Sequence, residues 1–236
     1  MVSTVGLKKI QAASGLVMGL YVALHLFNHY KLNASYEQAD AMMMSLRKFY
    51  RHPIYEISFV AALLTHFYTN CVLYTKRSKV EAAAQSKSDG NKKSVAGSLE
   101  LKAHRIAGYT LSVLVLVHAG ATRITPLLYF DDPNVFDYSF GALVIPLVPF
   151  NLFSVYYMIL GIAGGWHLLY GTRAAIATLS GTSVVGTEFP MLLKSVAMMN
   201  HILIVGAVAA MGKYAVQHDW SDKKEMHDRF LEVMGM

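Results

Sequence analysis

Residues 15–25 read GLVMGLYVALH, and residues 108–118 read GYTLSVLVLVH. Neither stretch carries a charge, each begins with a glycine, and each ends ten residues later on a histidine, His25 or His118. Histidine in a hydrocarbon environment is unfavourable and is usually functional. The common offset therefore predicts a membrane protein built from an internal repeat.

The chain is apolar, and its charges are segregated. Of its 236 residues, 54% are hydrophobic and 15% are charged, and charged residues are missing from residues 10–30, 57–75, 106–122, 138–172 and 195–212. A helix that crosses a bilayer needs about 20 apolar residues, and its backbone groups must be satisfied within the segment. We therefore expect an all-α integral membrane bundle with transmembrane helices over roughly residues 8–31, 54–77, 100–124, 149–179 and 190–216.

The remaining segments complete the predicted organisation. Residues 35–51 are amphipathic and predict a short interfacial helix, and residues 78–98 are polar and basic and predict a loop. The first two spans and the next two read as related hairpins, with a fifth span appended. We divide the chain into a membrane domain, residues 1–216, and a charged amphipathic tail, residues 217–236.

The charge distribution follows membrane topology. The net charge is +6, but the basic residues cluster before the first span and between the second and third, so they do not indicate nucleic-acid binding. The positive-inside rule places the N-terminus on the cytoplasmic or matrix side, although Arg47, Lys48 and Arg51 break this trend. With the single cysteine, Cys71, an internal disulfide and a cysteine-rich iron–sulfur motif are excluded, and no cleavable signal peptide is expected.

Four histidines fall at two matched depths. At about 1.5 Å rise per residue, His25 and His118 each lie roughly 26 Å beyond the start of their spans, whereas His66 and His167 lie roughly 15 and 9 Å above the inner ends of theirs. One pair is thus in the outer half of the membrane and one in the inner half. Imidazoles that face each other from different hairpins can fill both axial positions of a haem, which then transfers electrons and does not bind oxygen.

Other interpretations of these residues stay open. A lone membrane histidine is more often a hydrogen-bonding packing residue than a ligand, and glycines that we expect beside the macrocycle are more often helix-packing notches; these are Gly15, Gly19, Gly108, Gly161, Gly164 and Gly165. His29 lies one turn beyond His25 and competes with it as a ligand. No other histidine is expected at the same membrane depth as His201, so we expect a hydrogen-bonding or quinone-proximal role for it.

Two motifs resemble a known family. His104-Arg105-Ile-Ala-Gly108 and His167-Leu-Leu-Tyr-Gly171-Thr-Arg173 are similar to the His-Arg-x-x-Gly and His-x-x-x-Gly-x-Arg signatures of the cytochrome b membrane anchors of succinate dehydrogenase and fumarate reductase. Residues 11–15, QAASG, resemble the single-chain, five-helix, two-haem form of that superfamily. In that form the first helix pairs with the third and the second with the fourth, which agrees with the depths above.

The resemblance implies specific roles. His66 and His167 would bind the iron of an inner haem b, and His25 and His118 that of an outer one, so the chain would hold one or two. His104, Arg105 and Arg173 would lie near a haem propionate or a quinone; for the arginines, a topology-setting role at helix ends is an equal alternative. The partners implied are the iron–sulfur and flavoprotein subunits of a dehydrogenase, another small membrane subunit and membrane lipids, without nucleic acid.

The match to the anchor family is incomplete. Leu101 stands where that family commonly has a serine, and no Asp-Tyr pair follows His66, which affects the expectation of quinone reduction more than that of haem. Residues 47–56, 118–126 and 164–167 also resemble a fungal mitochondrial haem-binding membrane family that suppresses loss of tethering between the endoplasmic reticulum and mitochondria.

Three functions therefore follow as expectations. The first is a haem b-binding anchor subunit of a succinate:quinone oxidoreductase in the mitochondrial inner membrane, which carries electrons to quinone and is not itself catalytic. The second is a haem-binding mitochondrial membrane adaptor in lipid homeostasis, and the third is a structural accessory subunit of a respiratory complex. A bacterial plasma membrane and the mitochondrial outer membrane are the alternative locations.

Overall fold

The computed structural model describes residues 3–86, 99–132, 134, 136–145, 152–182, 189–217 and 221–235. Its helices are α1 (Thr4–Tyr30), α2 (Tyr36–Tyr50), α3 (Pro53–Ser86), α4 (Leu99–Ala119), α5 (Thr125–Tyr129), α6 (Tyr138–Val144), α7 (Leu152–Ser180), α8 (Met191–Gln217) and α9 (Lys224–Met234). Among these described residues, five stretches are long and apolar enough to cross a membrane: Thr4–Asn33, Pro53–Val80, Leu99–Tyr129, Leu152–Ser180 and Met191–Gln217. The predicted five-span, all-α membrane bundle is confirmed.

Two spans continue beyond their predicted ends. The third does not stop before Pro126, because a π-helical turn, Gly120–Ile124, leads into α5. Pro126 lies in the first turn of α5, where a missing backbone N–H is tolerated. Helix α3, which contains the second span, runs to Ser86 although we expected a loop from residue 78. Residues 79–85 read KVEAAAQ and are mostly strong helix formers, and residues 87–98 of the expected loop lie outside the described residues.

The helices pack around α1 and α7. Helix α1 packs against α3 and α7, and α7 packs against α4 and α8. The hairpins α1–α3 and α4–α7 thus lie side by side, joined through α1 and α7, as the repeat predicted. Among the described residues, α3 and α4 barely touch, so the bundle is more open along this side.

The end of the bundle away from the N-terminus, called here the outer end, is covered by short helices. Helix α2, predicted as interfacial, begins after Ser35, whose side chain accepts a hydrogen bond from the Gln38 amide, as an N-cap does. Phe230 on α9 is 4% exposed and packs against Phe136 and Phe140. The apolar face of the tail therefore covers the segment that begins α6.

Candidate functional site

The structure brings the four predicted histidines together as two pairs. The ring centroids of His66 on α3 and His167 on α7 are 6.4 Å apart, with an interplanar angle of 89°. Those of His25 on α1 and His118 on α4 are 5.9 Å apart, at 66°. Two imidazoles that bind one metal ion from opposite sides, each through a nitrogen about 2 Å away, have centroids about 6 Å apart. Both separations fit axial ligands of one iron.

The first pair, called here the inner pair, is oriented by backbone carbonyl groups. His66 Nδ1 lies 3.1 Å from the Gln11 carbonyl oxygen on α1, and His167 Nδ1 lies 3.2 Å from the His104 carbonyl oxygen on α4. A carbonyl oxygen only accepts, so each Nδ1 carries its proton and donates. This fixes the tautomer that leaves the Nε2 lone pair for a metal, which is the usual arrangement around metal-bound histidine.

The two contacts are related by the internal repeat. Gln11 precedes Gly15 by four residues, and His104 precedes Gly108 by four. A Cβ on Gly15 would lie 3.1 Å from His66 Cε1, and one on Gly108 would lie 2.9 Å from His167 Cε1. Each hairpin therefore holds its histidine in the same way, between a glycine and the carbonyl group one turn before it.

Most glycines expected beside a macrocycle instead contact side chains. Gly15 and Gly108 admit the rings of the inner pair, and Gly19 faces Leu168. Gly161 and Gly165 face Ile204 and Asn200 on α8. These positions are packing notches, which is the alternative the sequence left open.

Gly164 behaves differently from the other glycines. It is buried, yet a Cβ there would meet no atom within 4 Å. It precedes His167 by three residues and so shares its helix face. The space beside Gly164, together with the loose α3–α4 side of the bundle, fits a planar group next to the inner pair.

The second pair, called here the outer pair, is engaged differently. His29 Nε2 lies 3.1 Å from His25 Nε2, and His29 Nδ1 lies 3.1 Å from the Tyr138 hydroxyl. Asn28 Nδ2 donates to that hydroxyl at 2.8 Å, and burial raises the pKa of the Tyr138 phenol, which keeps it neutral. His25 Nε2 is thus engaged in a hydrogen bond with His29, whichever of the two nitrogens carries the proton. This hydrogen bond must break before His25 Nε2 can bind iron.

The remaining predicted site residues lie near the inner pair or its end of the bundle. The His104 ring stacks on His167, with centroids 4.2 Å apart and planes 9° apart, and its buried Nδ1 has no hydrogen-bond partner among the described residues. The Arg173 guanidinium lies 5.6 Å from the Phe189 ring centroid, and Arg105 is half-buried. Their roles toward a propionate or a quinone stay predictions.

A bidentate ion pair closes the outer end of the α3–α4 side. Arg123 Nε lies 2.5 Å from Glu56 Oε1, and Arg123 Nη2 lies 2.8 Å from Oε2. Arg51 lies close by, and burial, followed by repulsion from Arg47 and Arg123, lowers its pKa to about 10. Arg123, in the π-helical turn that follows α4, therefore links the third span to α3, although α3 and α4 otherwise barely touch.

Sequence reasoning missed the groups that orient the histidines. The Gln11 and His104 carbonyl groups belong to the backbone and have no residue-type signal. Tyr138 contacts His29 across a separation of 109 residues, with no motif to mark it. Within the described part of the chain, no group of three or more His, Cys, Asp or Glu side chains is arranged to hold a metal ion. The chain matches no known protein family, no curated protein and no solved structure.

Proposed function

We propose that the chain is a haem b-binding membrane protein that carries electrons, and that it serves as the anchor subunit of a succinate:quinone oxidoreductase. The observation that carries the proposal is the inner pair, whose Nε2 atoms are left for iron at a centroid separation of 6.4 Å. Haem b held between two imidazoles accepts and returns single electrons and has no open coordination position.

The protein would hold the cofactor through both hairpins. His66 and His167 would hold its iron through their Nε2 atoms, and the Gln11 and His104 carbonyl groups would keep the rings in the ligating tautomer. The apolar spans around them would exclude water, which lowers the local dielectric constant and so tunes the reduction potential. His25 and His118 would bind a second haem only after His25 separates from His29.

The partner and the membrane follow from the motif resemblance and not from the geometry. The His104-Arg105-x-x-Gly108 and His167-x-x-x-Gly171-x-Arg173 motifs support an anchor role beside iron–sulfur and flavoprotein subunits. We place the chain in the mitochondrial inner membrane on the same basis.

The proposal is tested on protein purified from membranes in mild detergent. A dithionite-reduced minus oxidised absorbance spectrum is expected to show the sharp bands of a bis-histidine b-type haem. A flavoprotein and an iron–sulfur protein are expected to co-purify, and succinate is expected to reduce the haem. Absence of haem absorbance contradicts the cytochrome, whereas haem without co-purifying subunits favours the membrane adaptor.

A further inference from the structure

Helices α7 and α8 pack against each other along a line of close contacts, called here the α7–α8 seam. A Cβ on Gly161 would lie 2.7 Å from Ile204 Cδ1, and Gly165 is in contact with the Asn200 side chain. Numbers rise along α7 as they fall along α8, so the two helices are antiparallel. The seam lies within two membrane-spanning stretches.

Three side chains at this seam carry buried nitrogen atoms without a partner. Trp166 Nε1, Asn200 Nδ2 and His201 Nε2 make no hydrogen bond to any described residue. Water is scarce at this depth in a membrane, so an unsatisfied buried N–H group there is strongly unfavourable. Trp166 Nε1 and Asn200 Nδ2 always carry hydrogen, and His201 Nε2 does so in one tautomer. Together these atoms indicate a missing hydrogen-bond acceptor.

Helix geometry places Trp166 and His201 on one side of the seam. Trp166 directly follows Gly165, and His201 directly follows Asn200. Successive residues of a helix are rotated by about 100° around the helix axis. Because the helices are antiparallel, these two turns lead to the same side. Helix α1 lies on the opposite side, where Gly19 faces Leu168 of α7 and Asn33 Nδ2 donates to the Leu203 carbonyl of α8 at 3.0 Å.

The Asn200 amide turns its unpartnered nitrogen away from α1. Asn200 is 5% exposed, and its Oδ1 accepts a hydrogen bond of 2.5 Å from the Tyr30 hydroxyl on α1. Since Oδ1 and Nδ2 diverge from one carbon atom, Nδ2 is directed away from α1. Asn200 Nδ2 therefore lies in the seam itself, against Gly165 and next to the face that carries Trp166 and His201.

Aromatic side chains close this face toward the end of the bundle that carries the N-terminus. The Phe189 ring is 2% exposed, and its centroid lies 5.4 Å from that of Trp166 and 5.8 Å from that of Tyr170. Arg173 covers Phe189 at 5.6 Å. The result is a set of hydrogen-bond donors next to a flat, apolar wall.

We propose that this face of the α7–α8 seam binds the ring of a quinone. Trp Nε1 and Asn Nδ2 only donate, so the ligand must accept, and a quinone combines carbonyl oxygens with a planar apolar ring. A phospholipid headgroup is the wrong occupant, because His201 lies ten residues, about 15 Å, along α8 from Met191. The choice of a redox-active ligand rests on the proposed function, since Trp166 directly precedes the ligand His167.

The fluorescence of Trp166 can report on ligand binding at the seam. The chain has two tryptophans, so Trp220→Phe leaves Trp166 as the only one. Decylubiquinone titrated into this variant in nanodiscs is expected to quench its fluorescence saturably. Decylbenzene, which has a ring and the chain but no carbonyl oxygen, is expected not to compete. Quenching that never saturates, or equal competition by decylbenzene, overturns the proposal.

A substitution locates the site on the seam. In the Trp220→Phe background, His201→Leu is expected to weaken decylubiquinone binding about five- to tenfold, the effect of one lost hydrogen bond. His52→Leu, at an exposed histidine, is expected to leave it unchanged. A folded His201→Leu protein that binds decylubiquinone with unaltered affinity contradicts the site. If this variant does not fold, the decylbenzene competition tests the proposal instead. Haem absorbance of the same samples reports separately on the proposed function.

Discussion

The Nδ1 atom of His66 lies 3.1 Å from the main-chain carbonyl oxygen of Gln11. The second hairpin repeats this relationship, since His167 Nδ1 lies 3.2 Å from the carbonyl oxygen of His104. In both hairpins the contact is possible because a glycine four residues later leaves room for the imidazole ring. The internal repeat therefore preserves one arrangement, in which a main-chain carbonyl group orients a membrane histidine, and the Ser14 hydroxyl adds a longer contact of 3.4 Å to His66 Nδ1.

Adding a methyl group to either glycine is expected to displace the histidine it faces. In Gly108→Ala the new Cβ would lie 2.9 Å from His167 Cε1, and in Gly15→Ala it would lie 3.1 Å from His66 Cε1. Overpacking of this kind costs about 1–3 kcal/mol, so haem affinity is expected to fall about tenfold or more in Gly108→Ala. Titration of detergent-purified apoprotein with haemin measures it.

The matched control for this prediction is Gly212→Ala on α8. No atom lies within 4 Å of a Cβ at that position, so haem affinity should equal that of the unsubstituted chain. Equal affinity in all three variants means that the His66 and His167 rings do not depend on these notches.

The Arg123–Glu56 ion pair is expected to hold α3 and α4 together. The two side chains are 26% and 32% exposed, so the pair is partly screened; exposed pairs contribute about 1 kcal/mol or less, and bidentate geometry raises the contribution. Glu56→Gln should therefore lower the thermal unfolding midpoint in detergent. The exchange Glu56→Arg with Arg123→Glu should restore much of the loss.

Lys194→Gln provides the comparison. Lys194 and Glu100 are 4.0 Å apart, and the lysine side chain is 48% exposed, so a much smaller effect is expected. A Glu56→Gln protein that unfolds at the same temperature as Lys194→Gln argues against a bridging role for Glu56.

Asp40 at the outer end is expected to make stability depend on pH. Burial, the largest influence, raises the pKa of this carboxyl above 3.8 in the folded protein. The folded state then binds a proton at a higher pH than the unfolded chain does. At neutral pH the charge of the Asp40 carboxylate therefore makes folding less favourable. This free-energy penalty shrinks as the pH falls through the folded pKa, and it is lost below the pKa of the unfolded chain.

Asp40→Asn tests this sign. The amide oxygen can still accept the hydrogen bond from the Tyr138 backbone N–H, which is 3.3 Å from Oδ1. The variant is expected to unfold at a higher temperature at pH 7.5 and to lose part of the gain between pH 7.5 and pH 4.5. Asp131→Asn, at an exposed position, should change neither. A lower midpoint for Asp40→Asn at pH 7.5 would falsify the assignment.

The pairing of the histidines could be predicted because it depends on few quantities. Uncharged stretches place the spans, alternation of the spans sets their directions, and helix rise gives the depth of each residue. His25 with His118 and His66 with His167 follow from these alone, and the structure brings both pairs together. The partners of their other nitrogens depend on helix rotation and on backbone acceptors, which residue types do not encode.

The glycines show the same limit on what can be predicted from the sequence. Small residues at Gly15 and Gly108 indicate a close approach, but not by which group, and the neighbours are the histidine rings themselves. The extension of α3 to Ser86 has a different cause, because local propensity continues the helix beyond the apolar span. The His29–Tyr138 contact required knowledge of how the covering segment folds back onto α1.

The most direct test of the central claim is the haem content of histidine variants, measured per chain as the pyridine haemochrome. His66 and His167 have Nε2 free for iron, whereas His25 Nε2 is engaged by His29. We expect His66→Leu and His167→Leu to lose the b-type spectrum of the inner haem, and His25→Leu and His118→Leu to retain it. Retention of full haem content in His66→Leu and His167→Leu would contradict the account.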